Sequence, residues 1–369
     1  MTATAPKQHA DVVLDTRPLS YAVGEEILGV DLSKDLDDAV IAAIRAVLVD
    51  RGAVVFRGQS LPPAQQVAFT RRFGELVAVR DLRFEVEAGE LFGIVGPDGA
   101  GKTTTLRMLA GVLRPSEGDA IVAGESVVTN PESIKPNIAY MSQRFGLYQE
   151  LTVRENIEFY ADLYEVPRAD FPGRLERLYA FSRLGPFEDR RAEDLSGGMK
   201  QKLGLCCALV HEPRVLLLDE PTFGVDPISR RDLWLIVHEM VAAGTTVVAS
   251  TAYMEEAERC DRVAMLHDGI LVGLDEPRRL QESLAARVVA LQVDRPRPAV
   301  AYLAAVPQVS SVATFGEAVR VVLRRDADWA GVRADLERSG FTVRNAEIAR
   351  PTLEDVFVEL VERERRRDV

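Results

Sequence analysis

Residues Gly96 to Thr103 read GPDGAGKT, between the apolar run LFGIVG and the helix-forming run KTTTLRMLAGVL. A strand, a glycine-rich loop and a helix, in that order, let a loop wrap a phosphate. Its glycines allow backbone N–H groups to turn inward and approach phosphate oxygens more closely than a Cβ would permit. The spacing G-x-x-x-x-G-K-[ST] also puts a lysine and a hydroxyl at the head of the helix. Gly96, Pro97, Asp98, Gly99, Ala100, Gly101, Lys102, Thr103 and Thr104 are therefore the candidate nucleotide contacts. In that reading Lys102 reaches the β and γ phosphates, and the Thr103 hydroxyl is a ligand for Mg2+.

Further along, VLLLDEP (Val215 to Pro221) is an apolar strand ending in two carboxylates, as expected at the C-terminal edge of a parallel sheet. Asp219 is a candidate to hold Mg2+ through water, and Glu220 to orient and activate an attacking water. Strands are expected at 120–122, 138–141, 215–218, 245–249 and 263–266 with helices between them, which gives a mainly parallel α/β sheet. LVAVRDLRFEVEAGE alternates Leu82, Phe84 and Val86 with Arg83, Glu85 and Glu87, so it predicts strands of a half-exposed sheet that turn at Gly89. Past residue 286, RVVALQV, VATFGEAVRVVLRR, WAGVRADLERSG and FTVRNAEI predict a small α+β domain.

Between the loop and the end of the chain lies LSGGMKQKLGLCCALV, in which Ser196, Gly197 and Gly198 precede a helix whose free N–H groups suit an anion. With these residues the chain resembles the ATP-binding cassette (ABC) ATPases from about Phe73 to residue 280. The implied fold is a P-loop NTPase cassette: a parallel core sheet, an antiparallel β-subdomain and a helical subdomain. The resemblance implies that Ser196, Gly197 and Gly198 meet the γ-phosphate held on a second subunit, so that ATP is sandwiched in a cassette dimer, homodimeric or with a second ABC domain. It further implies that Gln143, in YMSQRFGLYQELTVRENI, contacts Mg2+ and the water. Asp226, in FGVDP, would face the partner site, and Phe73 would stack on adenine.

One position departs from the family pattern. The chain reads VASTAYMEEAE, with Ala252 where the family carries a histidine on the γ-phosphate, so ATP binding is expected to survive while hydrolysis is slow or asymmetric. LTVRENIEFYADLYEVP and PTLEDVFVEL (Pro351 to Leu360) resemble the daunorubicin-resistance type of exporter. The implied partner is a separate multi-span membrane permease, with this chain peripheral on the cytoplasmic face of the cell membrane. An amphipathic helix packing on its own domain is the other reading of PTLEDVFVEL. A soluble ABC ATPase without a permease is the alternative function; the net charge of -12 disfavours nucleic acid as its partner.

In front of the cassette, KDLDDAVIAAIRAVLVD predicts a helix over 34–50 with Leu36, Val40, Ile44, Val47 and Leu48 on one side. GAVVFRG predicts a strand, and SLPPAQQVAFTRRF a second helix with Ser60 as N-cap. RPLSYAVGEEILGVDLSKDL and DRGAVVFRGQSLPPAQQVAFTRRFGEL resemble the N-terminal part of the taurine dioxygenase family of Fe(II)/2-oxoglutarate oxygenases. That chemistry needs two histidines and a carboxylate with open iron positions. The chain has four histidines, His9, His211, His238 and His267, and its one H-x-D, His9 and Asp11, precedes the resembling segment. The expected organisation is a flexible N-terminus (1–16), a truncated dioxygenase-like segment without activity of its own (17–72), the ABC ATPase domain (73–285) and the α+β accessory domain (286–369). FTRRFGEL fits both families. PPAQQVAF prefers helix where cassettes carry a strand, so the antiparallel edge is expected to lack a partner and adenine stacking to be weakened.

The remaining composition is that of a globular protein, 47% hydrophobic and 28% charged, with no secretory signal and no 18-residue apolar stretch. A chain of 369 residues leaves room for two or three domains. Cys206, Cys207 and Cys260 form no CxxC pair and are expected to be packing residues of a protein in a reducing compartment. Arg71 and Arg72 are expected on a solvated helix face, and His211 and His238 on the surface.

Overall fold

The computed structural model describes residues 12, 14–19, 24–51, 53–73, 77–143, 146–284, 287–316 and 318–367. Contacts divide the chain into two compact units, Met1–Val77 and Ala78–Val369. The boundary expected at 72/73 therefore falls at 77/78, and the expected break at 285 does not separate a third unit. His9 and Asp11 lie outside the described residues.

In the first unit β1 (Thr16–Pro18) pairs antiparallel with β2 (Glu25–Ile27), which pairs in parallel with β3 (Val54–Val55). The parallel pair needs a crossover, and α1 (Asp38–Arg51) supplies it. Ile27, Leu32, Ile41 and Ile44 are buried, whereas Leu36, Val40, Val47 and Leu48 of the expected stripe are half-buried. Glu26 is buried as well, and Arg17 and Arg57 close on it at 2.5 and 3.2 Å, which offsets its desolvation. α2 (Pro63–Arg71) buries none of its residues, and its N-cap is Pro62, not Ser60. Pro63 at the first helical position, with its fixed φ, explains the later start.

The second unit is organised by β4 (Leu91–Val95), an unbroken apolar strand with both faces covered. Leu91 and Val95 join the core on one face, and Phe92 and Ile94 the core on the other. The remaining elements in chain order are α3 (Lys102–Leu109), β5 (Ile121–Val122), β6 (Glu125–Ser126), α4 (Pro131–Ile134), β7 (Ile138–Met141), α5 (Val153–Leu163), α6 (Phe171–Ser182), α7 (Gly197–Leu209), β8 (Val215–Asp219), α8 (Pro227–Ala242), β9 (Thr246–Thr251), α9 (Met254–Ala257), β10 (Arg262–His267), β11 (Ile270–Asp275) and α10 (Pro277–Glu282). The central sheet has the order β11-β10-β4-β9-β8-β7, all parallel except β11. β4, β9 and β8 are therefore neighbours, and their C-terminal ends open onto one place.

The half-exposed strands expected around Leu82, Phe84 and Val86 are not formed, because residues 80–88 find no pairing strand; the antiparallel part is the two-stranded β5/β6 sheet. The alternating apolar residues still pack inward against the second core, with Phe84 stacked on Phe92 at 5.1 Å.

The C-terminal α+β part forms as expected, with β12 (Val288–Val293), α11 (Pro296–Ala304), β13 (Val309–Phe315), β14 (Ala318–Leu323), α12 (Trp329–Arg338), β15 (Val343–Ile348) and α13 (Leu353–Arg367). Its sheet, ordered β13-β14-β12-β15, buries Leu291, Val319 and Val321 with Leu303 and Leu336 in a core of its own. Val288 and Val322 instead join Leu353 and Val356 in the main core. The helix of PTLEDVFVEL thus packs on its own unit and ties the accessory sheet to the cassette. Gly273 of β11 leaves room for Leu360, whose Cδ1 would lie 2.6 Å from a Cβ there.

The start of α13 is held by Asp355, 3% exposed. Its Oδ2 accepts from the Thr352 N–H at 2.7 Å and the Thr352 hydroxyl at 2.8 Å, while Arg320 pairs with it at 2.6 Å. Asp355→Ala removes the cap and leaves a partly buried guanidinium without its carboxylate, so it is expected to destabilise the second unit by about 3–5 kcal/mol. Urea unfolding followed through Trp234 and Trp329 fluorescence measures this; an unshifted transition would contradict the anchoring role.

Candidate active site

The phosphate loop leaves β4 at Gly96 and enters α3 at Lys102. A Cβ on Gly96 would lie 2.2 Å from the Leu266 carbonyl oxygen, and Gly101, the N-cap, has φ 100° with the Ala78 carbonyl oxygen 2.6 Å from where its Cβ would be. Only glycine fits either position. Pro97, Asp98 and Gly99 are exposed, Ala100 is buried, and Thr103 and Thr104 are half-buried. The Lys102 ammonium, 4% exposed, donates to the carbonyl oxygens of Gly96 at 2.8 Å and Pro97 at 3.0 Å. Its third neighbour is the Glu220 carboxylate at 3.0 Å.

Asp219, at the end of β8, is buried and accepts three side-chain hydrogen bonds. These come from the Thr103 hydroxyl at 2.9 Å, the Ser250 hydroxyl at 2.8 Å and the Tyr140 phenol at 3.3 Å. Burial, and then the charge of Asp219, push the Tyr140 pKa up, so the phenol remains a donor. Ser250 also accepts from the Glu220 N–H at 3.0 Å. Glu220 has φ 46°, a left-handed conformation that costs a non-glycine residue about 1–3 kcal/mol. That turn carries its carboxylate away from the strand to meet Lys102 and the Gln143 amide, whose Nε2 donates to it at 3.1 Å. Sequence reasoning missed Ser250 and Tyr140. β9 runs two residues beyond its expected end at Ala249, which delivers Ser250 to the site.

The arrangement can bind a polyphosphate at the loop and hold a water against Glu220. Among the described residues no group of three or more His, Cys, Asp or Glu could hold a metal alone. The Thr103 hydroxyl and Asp219, 2.9 Å apart, are however the hard-oxygen donors of Mg2+, an ion that completes its shell with waters and substrate phosphates. The residues present fit that ion.

A second group of expected residues gathers at α7 and α8. Ser196 caps α7 and accepts from the Met199 N–H at 3.3 Å; Ser196 and Gly197 are exposed. Gly198 is buried, and a Cβ there would lie 2.3 Å from the Ser229 hydroxyl, so the signature turn packs directly on the start of α8. Asp226 caps α8, accepting from the N–H groups of Ser229 at 3.0 Å and Ile228 at 3.1 Å. Hydrogen bonds, first of all that from Ser229, hold its pKa below the usual carboxylate range.

Phe73 requires a correction. It lies in the first unit, where Phe69 meets its ring edge-on at 5.2 Å and the Arg45 guanidinium stands 5.9 Å over it. The helix of PPAQQVAF leads into it there. His211 is also corrected: it is half-buried, with Nε2 3.0 Å from the Ile138 carbonyl oxygen and its ring stacked on Tyr164 at 3.9 Å. Arg72 pairs with Asp35 and Asp38, and His238 is exposed as expected.

A family model described as ABC transporter matches residues 79–223, and one described as taurine catabolism dioxygenase TauD, TfdA family, matches residues 15–105. Both therefore claim residues 79–105, across the phosphate loop. The chain is 43% identical over 286 residues to the probable multidrug ABC transporter ATP-binding protein YbhF of Escherichia coli (strain K12), covering 77% of this chain and 49% of that protein. It thus spans about half the length of that relative. It is 36% identical over 297 residues to Nod factor export ATP-binding protein I of Rhizobium sp. (strain N33), covering 80% and 95%. A solved structure of an ATP-binding subunit of an ABC transporter is 30% identical at a TM-score of 0.52, covering 57% of this chain and 89% of that one.

The three cysteines are buried in the main core and unreactive by environment. Burial pushes the thiols of Cys206 and Cys260 up to about 12, and that of Cys207 well above its ordinary value. At pH 8 all three are expected to stay protonated and unlabelled by an aromatic disulfide reagent in the native protein, and to react together once it is unfolded. Rapid native labelling of any one would contradict their place in the core.

Proposed function

The chain belongs to the ABC transporter family of ATP-binding proteins, and we propose that it is the ATP-hydrolysing subunit of an exporter, acting through a separate multi-span permease. The observation that carries this reading is the convergence of Lys102, Thr103, Asp219, Glu220 and Gln143 in one hydrogen-bonded cluster. Loop N–H groups and Lys102 would hold the triphosphate, the ammonium exchanging its hold on the Gly96 and Pro97 carbonyl oxygens and Glu220 for phosphate oxygens. Thr103, Asp219 and Gln143 would hold Mg2+, which when bound neutralises phosphate charge. Glu220 then takes the proton of a water that Gln143 orients.

Ser196 and Gly197, exposed at the head of α7, supply an anion-binding turn facing outward, which supports a second cassette closing over the nucleotide. Phe223 and Ile228 beside Asp226, 56% and 76% exposed, are apolar area that such closure would cover. Among the described residues no helix is long and apolar enough to cross a membrane, so the reading assigns the spans to a partner and this chain to the cytoplasmic face. Export draws on relatives named for multidrug and Nod factor export and on the PTLEDVFVEL helix. The front unit is assigned no oxygenase chemistry, because His9 is its one histidine and a facial triad needs two.

Ala252 directly follows β9, where its side chain offers no donor to a phosphate. A missing donor of this kind costs about 2.7–4 kcal/mol, or roughly 10²–10³ in rate. Ala252→His is expected to raise ATP turnover by roughly tenfold or more with little change in ATP affinity; an unchanged steady-state rate would contradict the assignment. Solubilised native membranes test the exporter reading. A copurifying multi-span permease supports it, whereas ribosomes or DNA-bound proteins would refute it.

A further inference from the structure

Beside the nucleotide cluster lies a carboxylate that the proposed chemistry does not use. Glu256 in α9 is 2% exposed, and both of its oxygens are engaged by buried hydroxyls. Thr222 Oγ1 donates to Oε1 at 2.6 Å and Thr251 Oγ1 donates to Oε2 at 2.6 Å. Arg230 of α8 approaches Oε1 at 3.4 Å and lays its guanidinium 4.4 Å over the Tyr253 ring.

The positions of these partners give the cluster its meaning. Thr222 stands two residues after Glu220, inside the turn closed by the Phe223 N–H on the Glu220 carbonyl oxygen at 3.0 Å. Thr251 is the last residue of β9 and directly precedes Ala252. Its carbonyl oxygen receives the Gly96 N–H at 3.4 Å, and its hydroxyl receives the Tyr253 N–H at 3.0 Å. Arg230 lies one turn into the helix that Asp226 caps and against which Gly198 packs. One buried carboxylate therefore joins the turn that aims Glu220, the turn that carries residue 252, and the helix behind the signature turn.

We infer that Glu256 is a positioning residue for ATP hydrolysis, holding Glu220 in its left-handed turn through Thr222 and fixing that turn to β9 through Thr251. It touches neither phosphate nor water in this scheme. With alanine at position 252, the Glu256 knot acts alongside the Ser250 hydroxyl, which receives the Glu220 N–H, in tying the end of β9 to the general base. Arg230 neutralises the buried charge and carries the arrangement to α8. The inference rests on the ATPase reading above.

The test compares Thr222→Val, Thr222→Ser and Glu256→Gln with the parent chain, measuring kcat, KM, equilibrium ATP binding and thermal unfolding. Valine keeps the shape and removes one donor. Glutamine can accept from one threonine hydroxyl and donate its NH2 to the other, reversing that contact, and it loses the charge opposite Arg230. Thr222→Val and Glu256→Gln are expected to lower kcat by about tenfold, with the ATP dissociation constant changed by less than about threefold. Thr222→Ser, which restores the hydroxyl, is expected to return kcat to within about twofold of the parent. Unchanged kcat in both Thr222→Val and Glu256→Gln, or parallel losses of kcat, binding and thermal midpoint that serine does not rescue, would overturn the inference alone. A parent chain that binds ATP without turning it over would overturn the ATPase reading and this inference with it.

Discussion

The carboxylate of Asp219 is the constraint on which the site depends. It is 1% exposed at the end of a buried strand, a position that costs free energy unless its oxygens are hydrogen-bonded. Thr103, Ser250 and Tyr140 satisfy it, and they come from α3, β9 and β7. Satisfying one group thus sets the register of the phosphate loop against two strands. Ser250 extends the effect, because the same hydroxyl that donates to Asp219 receives the Glu220 N–H and holds the turn in which Glu220 faces Lys102. In the proposed function, binding of phosphate and activation of water both draw on this one packed junction.

That junction lies wholly within the second unit, and so does the support behind it. α13 shares a core with the central sheet and the accessory sheet, so the accessory domain is built into the cassette's unit. The front unit is different in kind. Its buried set is small, α2 contributes nothing to it, and the aromatic expected on adenine is engaged inside it. The candidate phosphate loop, Asp219 and Glu220 are joined in one cluster, while residues 80–88 run without a strand partner.

Much of this was legible in the sequence because phosphate binding by backbone leaves a local record. Gly96 and Gly101 are required by close approach and left-handed φ, and both are visible as spacing alone. Asp219 and Glu220 were legible because an apolar strand ending in two carboxylates, common by itself, stands in company with the glycine-rich loop and the LSGG segment. Ser250 and Glu256 were not, since their role depends on which strands are neighbours, and sheet order is not written in any one segment. Phe73 was less legible: FTRRFGEL resembles two families, yet the ABC transporter model matches from residue 79 while the TauD model spans 15–105, and the ring falls in the first unit. The alternation of Leu82, Phe84 and Val86 correctly marked the inward face, yet it could not reveal that the strand would lack a partner.

The account stands on Glu220 acting as the base at a nucleotide that Lys102 and the loop hold. The most direct measurement is a single-turnover assay of bound ATP with Mg2+, on the parent chain and on Glu220→Gln side by side. The account predicts that both bind ATP with similar affinity, that the parent converts it to ADP and phosphate, and that the Glu220→Gln chain retains it intact. Equal cleavage by the two, or no retention of ATP by either, would contradict it.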